Sequence, residues 1–134
     1  MDATLNAAAL SIVVMAAGKG TRMKSALPKV LHPLAGRNLL HHVLATTAGL
    51  GASRTIIITG HEAARVEAAT AGLDRVRCVR QEPQLGTGHA VQQAVPHLGD
   101  QGSTLILNGD VPLIEAATAR ALVAACGGTK LALL

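Results

Sequence analysis

The chain has 134 residues, of which 49% are hydrophobic, and this is enough for one folded domain with a real core. Its formal net charge is +4, yet it has no long run of Lys and Arg and no aromatic residue at all. Binding to single-stranded nucleic acid is therefore disfavoured, because no ring is available on which bases could stack. A small phosphorylated ligand suits the clustered basic residues better.

Two features indicate a cytoplasmic protein. Cys78 and Cys126 are the only cysteines, and they form neither a CxxC motif nor a zinc-binding pattern. The apolar stretch at residues 7–17 is too short to span a membrane, and Asp2 stands where a signal peptide would carry positive charge. We therefore expect reduced thiols and no cleaved signal.

In chain order, short apolar runs alternate with segments of helical spacing. Strands are predicted at residues 10–16, 55–59, 76–80 and 104–108, with a fifth beginning at 130–134. Helices are predicted at residues 38–50, 61–71, 88–98 and 115–126. This alternation is typical of an α/β domain with a mostly parallel sheet, in which ligands lie beyond the carboxyl ends of the strands. Because the chain stops inside an apolar run, an incomplete domain is expected.

The loop after the first strand lies in the stretch VVMAAGKGTRMKSALPKV, residues 13–30. It lacks the GxxxxGK[ST] spacing of a Walker A motif, and Met23 stands where the third glycine of GxGxxG belongs. Glycines nevertheless let backbone N–H groups approach an anion, and Arg22 and Lys29 bring charge for phosphate oxygens. The alternative is a glycine-rich turn with solvated basic residues.

The second informative stretch is QEPQLGTGHA, residues 81–90. The Gln81 amide offers both a donor and an acceptor with which to read a base edge. The Gly-Thr-Gly triplet precedes a predicted helix, whose N-terminus favours negative charge. The alternative is an ordinary loop in which Thr87 caps the helix.

The third stretch is LILNGDVPLI, residues 105–114, where Asp110 follows a buried strand. A carboxylate in this place is suited to Mg²⁺, which usually takes one or two carboxylates together with substrate phosphates. The alternative is a turn aspartate without a ligand. The histidines form no HExxH motif, so a zinc site is not predicted.

From Ser11 onward, the chain carries four stretches whose combination and order indicate a family. They are MAAGKGTRMKSALPKVLHPLAGRNLLHHV, TGH, QEPQLGTGHAV and NGDVPLI. The chain resembles the N-terminal uridyltransferase domain of bacterial bifunctional N-acetylglucosamine-1-phosphate uridyltransferases, within the sugar nucleotidyltransferase superfamily. The resemblance implies a Rossmann-like three-layer αβα fold, Mg²⁺ as cofactor, and UTP and N-acetylglucosamine 1-phosphate as substrates. The products would be UDP-N-acetylglucosamine, a cell-wall precursor, and pyrophosphate.

The same resemblance implies roles for individual residues. Arg22 would steady the leaving pyrophosphate, Lys29 would bridge the nucleotide and sugar phosphates, and Asp110 would be a magnesium ligand. The remaining expected site residues would hold the base and ribose: Met15, Ala16, Ala17, Gly18, Gln81, Gly86, Thr87, Asn108 and Gly109.

The resemblance also implies that residues 1–134 are only the nucleotide-binding part of a nucleotidyltransferase domain. The family's sugar-binding half and its trimeric acetyltransferase β-helix would be absent, so little or no turnover is expected from this chain. Two alternatives stay open. One is a related enzyme with another base or acceptor, of the molybdenum-cofactor guanylyl- or cytidylyltransferase type. The other is a non-catalytic nucleotide-binding module.

Overall fold

The computed structural model describes residues 10–19 and 24–134. The strands are β1 (Leu10–Ala16), β2 (Pro33–Leu34), β3 (Arg37–Asn38), β4 (Arg54–Thr59), β5 (Val76–Arg80) and β6 (Ser103–Asn108). The helices are α1 (Leu39–Ala48), α2 (Ala63–Thr70), α3 (Thr87–Ala94) and α4 (Ala116–Cys126). Short 3₁₀ turns occupy Lys29–Leu31 and Val95–His97.

The four longer strands form one parallel sheet in the order β5-β4-β1-β6. At the centre, Val14 of β1 stands level with Ile57 of β4 on one side and Leu107 of β6 on the other. The short strands β2 and β3 pair antiparallel in a separate ribbon, which the sequence did not predict. The parallel arrangement brings the loops that follow β1, β4, β5 and β6 to one edge of the sheet.

Helices cover both faces of the sheet, which confirms the predicted three-layer αβα fold. Alternate residues of a strand point to opposite faces, so Val13 and Val14 enter different layers of the core. The layer that contains Val14 packs against α1, α2 and α4 through residues such as Leu40, Val66 and Ala119. The other layer packs against α3 through Ala90 and Ala94.

The core is built from aliphatic side chains, many of them β-branched. Its largest fully buried members include Ile12, Leu40, Ile56, Ile57 and Ile58. Each such side chain contributes about 1.5–3 kcal/mol by burial. Most of this burial is in the strands, so the sheet is the rigid element that fixes the positions of the loops at its edge.

The predicted elements are confirmed to within about two residues, with two exceptions. The helix predicted at 88–98 ends as an α-helix at Ala94 and continues only as the 3₁₀ turn Val95–His97. The fifth strand predicted at 130–134 is wrong, since these residues have no regular secondary structure. Lys130 N bonds to the carbonyl of Cys126 at the end of α4, so the chain still follows the helix terminus there, and residues 131–134 form no ladder with β6. Leu131, Leu133 and Leu134 are therefore exposed, and Ile106 of β6 is 44% exposed on an open edge.

Among residues 10–19 and 24–134, every helix falls short of the length and apolar character needed to cross a lipid bilayer.

Candidate functional site

A cavity of about 560 Å³ lies at the carboxyl edge of the parallel strands. The loops after β1, β5 and β6 form its walls, and the first residues of α3 close one side. Its lining residues are Met15, Ala16, Ala17, Gly18, Lys29, Val30, Gln81, Gln84, Gly86, Thr87, Ala90, Asn108 and Asp110. The place is the one expected for the ligand of an α/β sheet.

The cavity brings together the site residues predicted from the sequence, apart from two. Gly109 is buried and does not line the cavity. Arg22 lies outside the described residues. Three lining residues were not predicted, namely Val30, Gln84 and Ala90. Val30 and Ala90 present only aliphatic groups, and nothing in the sequence distinguishes Gln84 from any other polar loop residue.

The loops after β1 and β4 are held against each other at Gly60. His61 N donates to the carbonyl of Ala17 over 3.2 Å. A Cβ placed on Gly60 would lie 3.0 Å from the Ala17 Cβ and carbonyl oxygen and 2.6 Å from Gln84 Nε2. The Gln84 amide is the end of a flexible side chain and can move aside, but the Ala17 backbone oxygen is held by a hydrogen bond, so sterics favour glycine at this position. The TGH motif of the sequence thus marks a close approach beside the cavity.

Gly109 fixes the end of β6 to the end of β1. Its N–H donates to the carbonyl of Met15 over 2.9 Å. An added Cβ would lie 3.1 Å from that same carbonyl oxygen and 3.1 Å from Val30 Cγ1. Gly109 therefore sits beneath the cavity wall and sets the position of its neighbour Asp110.

Gln81 and Gly86 line one end of the cavity, here called the base end because the sequence predicts a base contact at Gln81, and His89 lies behind Gln81. Gln81 is only 3% exposed, and its backbone N–H donates to the carbonyl of Thr59 over 2.7 Å. Its side-chain Nε2 donates to the carbonyl of Gly86 over 3.0 Å and lies 3.0 Å from His89 Nδ1. The buried amide is thus held by protein groups on its nitrogen side.

Gly86 and Thr87 begin helix α3 at the same end. Gly86 is the N-cap, with φ of +105°, a conformation that favours glycine because it has no Cβ. Thr87 is the first helical residue, so the alternative in which Thr87 caps the helix is wrong. No side chain among the described residues caps the N–H groups of this first turn, and the helix starts at the cavity wall.

The opposite end of the cavity, here called the phosphate end, is made of Lys29 and Asp110. Lys29 Nζ lies 2.7 Å from Asp110 Oδ2, and the two side chains are 43% and 29% exposed. Lys29 opens the 3₁₀ turn after the first loop, and Asp110 follows β6. The two predicted charged residues therefore meet and neutralise each other.

The phosphate end has one carboxylate available for a metal ion. Asp110 is the only acidic residue among the described residues that line the cavity. The part of the chain that the structure describes contains no cluster of three or more His, Cys, Asp or Glu residues able to hold a metal. Since Mg²⁺ is often held by one or two carboxylates together with substrate phosphates, Asp110 fits a cation shared with a bound nucleotide.

A parallel αβα sheet with such a cavity at its strand ends places the chain among the α/β domains that bind ligands beyond the carboxyl ends of their strands. The sequence model of the MobA-like NTP transferase domain matches residues 12–133, and the chain belongs to this family. The predicted membership of the nucleotidyltransferase superfamily is confirmed.

A relative with high sequence identity indicates a more specific similarity within this family. The chain is 73% identical over 128 residues to a "Bifunctional protein GlmU" of Methylibium petroleiphilum, a match that covers 93% of this chain. The chain spans only about 28% of the length of that relative.

Two solved structures share the fold. A nucleotidyl transferase from Methanothermobacter thermautotroptrophicus superposes with a TM-score of 0.76 at 31% identity, covering 86% of this chain and 56% of the other. A Mycobacterium tuberculosis protein solved in complex with manganese superposes with a TM-score of 0.70 at 25% identity, covering 89% and 59%.

Proposed function

We propose that this chain is the nucleotide-binding part of a nucleotidyltransferase that moves UMP from UTP to N-acetylglucosamine 1-phosphate. The products are UDP-N-acetylglucosamine and pyrophosphate. The single observation that carries the proposal is the composition of one cavity, with a buried amide at the base end and the Lys29–Asp110 pair at the phosphate end. The sequence motifs and the 73% identity to a GlmU protein support the uridyl and sugar assignments.

The reaction needs little covalent chemistry from the protein. An oxygen of the sugar phosphate attacks the α-phosphorus of UTP, and the bond from that phosphorus to the pyrophosphate oxygen breaks. Catalysis is then positioning together with neutralisation of charge. Lys29 leaves Asp110 and contacts the reacting phosphates. Arg22, which lies outside the described residues, is proposed on the resemblance alone to steady the leaving pyrophosphate.

The nucleoside is proposed to lie along the carboxyl ends of β1 and β6. The backbone at Met15–Gly18 and the side chain of Gln81 contact the base, with Gly86 and Thr87 beside it. Asn108 lies toward the ribose. The first turn of α3, whose N–H groups no described side chain caps, adds positive potential on this side of the cavity.

The proposed cofactor is Mg²⁺, held by Asp110 together with the nucleotide phosphates. When bound it supplies positive charge that offsets the phosphate oxygens. This role for Asp110 is supported by its fixed position, because the neighbouring Gly109 anchors the end of β6 against Met15.

Full turnover is proposed to need residues beyond this chain. The chain spans about 28% of the length of its relative. The resemblance implies that a longer protein would supply sugar-binding groups, a second metal ligand and a trimeric acetyltransferase domain. With UTP, Mg²⁺ and acceptor, these 134 residues should show little or no product formation. A full turnover rate from the isolated chain would contradict this part of the proposal.

The cytoplasmic location stays a prediction.

The second candidate is a related nucleotidyltransferase with another base or acceptor. It is favoured by the family description, which names a MobA-like NTP transferase domain and specifies no base. A non-catalytic nucleotide-binding module is the remaining alternative from another functional class, and it would bind nucleotide without requiring Asp110.

Thermal unfolding with added nucleotide tests the proposal on the chain itself. With Mg²⁺ present, UTP should raise the unfolding midpoint more than CTP or GTP at equal concentration. A ligand at a hundred times its dissociation constant stabilises by about 2.7 kcal/mol, which is readily detected. Gln81→Leu should remove the response to UTP, whereas the matched Gln92→Leu, at an exposed position of α3, should keep it. A larger response to CTP or GTP would favour the second candidate, and no response would refute the proposal.

A further inference from the structure

We propose that His89 is a positioning residue that gives the site its preference for UTP over CTP. His89 and Gly86 together occupy the two amide hydrogens of Gln81, which leaves the Gln81 oxygen as the group available to a base. This inference rests on the proposed function and adds a residue to it. His89 lies on α3 and is absent from the lining of the cavity, so it acts through Gln81.

The orientation of the Gln81 amide follows from its neighbours. Gly86 presents a carbonyl oxygen, which can only accept, 3.0 Å from the side-chain nitrogen. That oxygen also accepts the N–H of Ala90 over 3.0 Å in the first turn of α3, so the helix holds it in place. The nitrogen of Gln81 must therefore face Gly86. The structure shows no donor to the Gln81 oxygen among the described residues.

The orientation of Gln81 in turn sets the proton on His89. The second amide hydrogen of Gln81 points to His89 Nδ1, 3.0 Å away, so Nδ1 has to accept. A neutral imidazole then carries its proton on Nε2. Gln93 lies on that outer side, with its amide nitrogen 3.2 Å from Nε2. The same Gln93 nitrogen donates to the carbonyl of His89 over 3.1 Å, which keeps the nitrogen side of that amide toward His89. The Nε2 proton is therefore left to water on the half-buried outer side of the ring.

The resulting pattern discriminates between pyrimidine bases. Uracil carries a hydrogen on N3 and can donate to the Gln81 oxygen. Cytosine has a bare N3, which accepts only, so the same contact would place two acceptors against each other. Without His89, one amide hydrogen of Gln81 is released and can serve cytosine. The preference thus depends on both hydrogens being held by the protein.

Two substitutions at one position separate hydrogen bonding from packing. His89→Asn keeps an acceptor oxygen near the position of Nδ1, whereas His89→Leu fills space without one. Calorimetric dissociation constants for UTP and CTP, measured with Mg²⁺ on the full chain, give a CTP-to-UTP ratio for each variant. His89→Leu should lower this ratio roughly three- to tenfold, the worth of one hydrogen bond, and His89→Asn should keep it near the wild-type value. Equal ratios in wild type and His89→Leu would overturn the inference.

A second measurement does not depend on nucleotide binding. In ¹⁵N-edited NMR spectra of the chain, the side-chain amide signals of Gln81, assigned through Gln81→Leu, report its two hydrogen bonds. His89→Leu should shift one amide proton of Gln81 and speed its exchange, and His89→Asn should restore it. Unchanged Gln81 signals in His89→Leu would overturn the inference. If wild type binds no nucleotide, the proposed function fails while this measurement still decides the role of His89.

Discussion

The two ends of the cavity are built by different means. At the base end, a buried glutamine is fixed by a backbone carbonyl and a histidine of the same loop-helix segment. At the phosphate end, Lys29 and Asp110 come from distant parts of the chain and satisfy each other in a partly exposed ion pair. If the proposed function holds, the base end is thus already arranged for a nucleotide, whereas Lys29 and Asp110 would have to separate to bind one.

This difference has a clear energetic basis. A buried amide without partners is costly, so Gln81 must be fully positioned during folding. An exposed ion pair is worth only about 0.2–1 kcal/mol, so Lys29 and Asp110 separate at little cost when phosphates and a cation offer stronger charges. We therefore expect the base end to determine which nucleotide binds, and the phosphate end to respond to metal.

Asp110→Ala should have the largest effect of the proposed variants. It should lower the affinity for Mg²⁺ at the phosphate end and leave the base end unchanged. Loss of groups around a metal ligand commonly lowers metal affinity 10- to 100-fold, so removing the ligand itself should cost roughly a hundredfold or more. Titration with UTP, with and without Mg²⁺, should show that Mg²⁺ no longer strengthens binding. The preference for UTP over CTP should remain. A variant that loses this preference, or that keeps the Mg²⁺ effect, would contradict the division of the cavity.

Lys29→Met is the companion variant, because it removes the other half of the ion pair. Asp110 then no longer has to leave a partner, so affinity for Mg²⁺ alone should rise roughly two- to fivefold, as expected for an exposed pair. Affinity for UTP should fall, since a positive charge beside the phosphates is lost. A parallel loss of metal and nucleotide affinity would mean that Lys29 supports the fold of this end and does not compete with the metal.

The next largest effect is expected from Gly109→Ala, which should lower the free energy of unfolding. The added Cβ would press on the Met15 carbonyl in the central strand β1, which cannot move without disturbing its neighbours. Overpacking of this kind costs about 1–3 kcal/mol, measured as a lower free energy of unfolding in urea. Gly88→Ala is the control, because its Cβ meets nothing within 4 Å. Equal stability of the two variants would show that the end of β6 adjusts freely.

The sequence predicted the sheet and most of the cavity for the same reason. Apolar runs of strand length identify buried strands, and in a parallel sheet the loops after those strands have to converge. This reasoning could not predict contacts between separate loops, or side-chain contacts within one loop-helix segment. Nothing local indicates that Lys29 meets Asp110, that Gly60 touches Ala17, or that His89 lies behind Gln81. The strand predicted at 130–134 failed because an apolar run also needs a pairing partner in register.

The smallest effect is expected from breaking the ion pair between Arg80 and Glu67. This pair resembles the one at the phosphate end but lies outside the cavity. Arg80 of β5 donates to both carboxylate oxygens of Glu67 on α2, over 2.7 and 3.0 Å. These hydrogen bonds hold the pKa of Glu67 below its ordinary value of 4.5. The pair therefore stabilises the fold above that value, and its contribution is lost as the pH falls through the lowered pKa.

Glu67→Gln should accordingly lower the urea midpoint slightly at pH 7, because the pair is exposed and weak. The difference from wild type should shrink toward zero as carboxylates become protonated. Binding of UTP and of Mg²⁺ should stay unchanged, in contrast to both variants of the phosphate end. A difference in midpoint that persisted in acid would mean that Glu67 acts through packing. A change in UTP binding would mean that ion pairs outside the cavity also influence it, and that the response to ligand extends beyond Lys29 and Asp110.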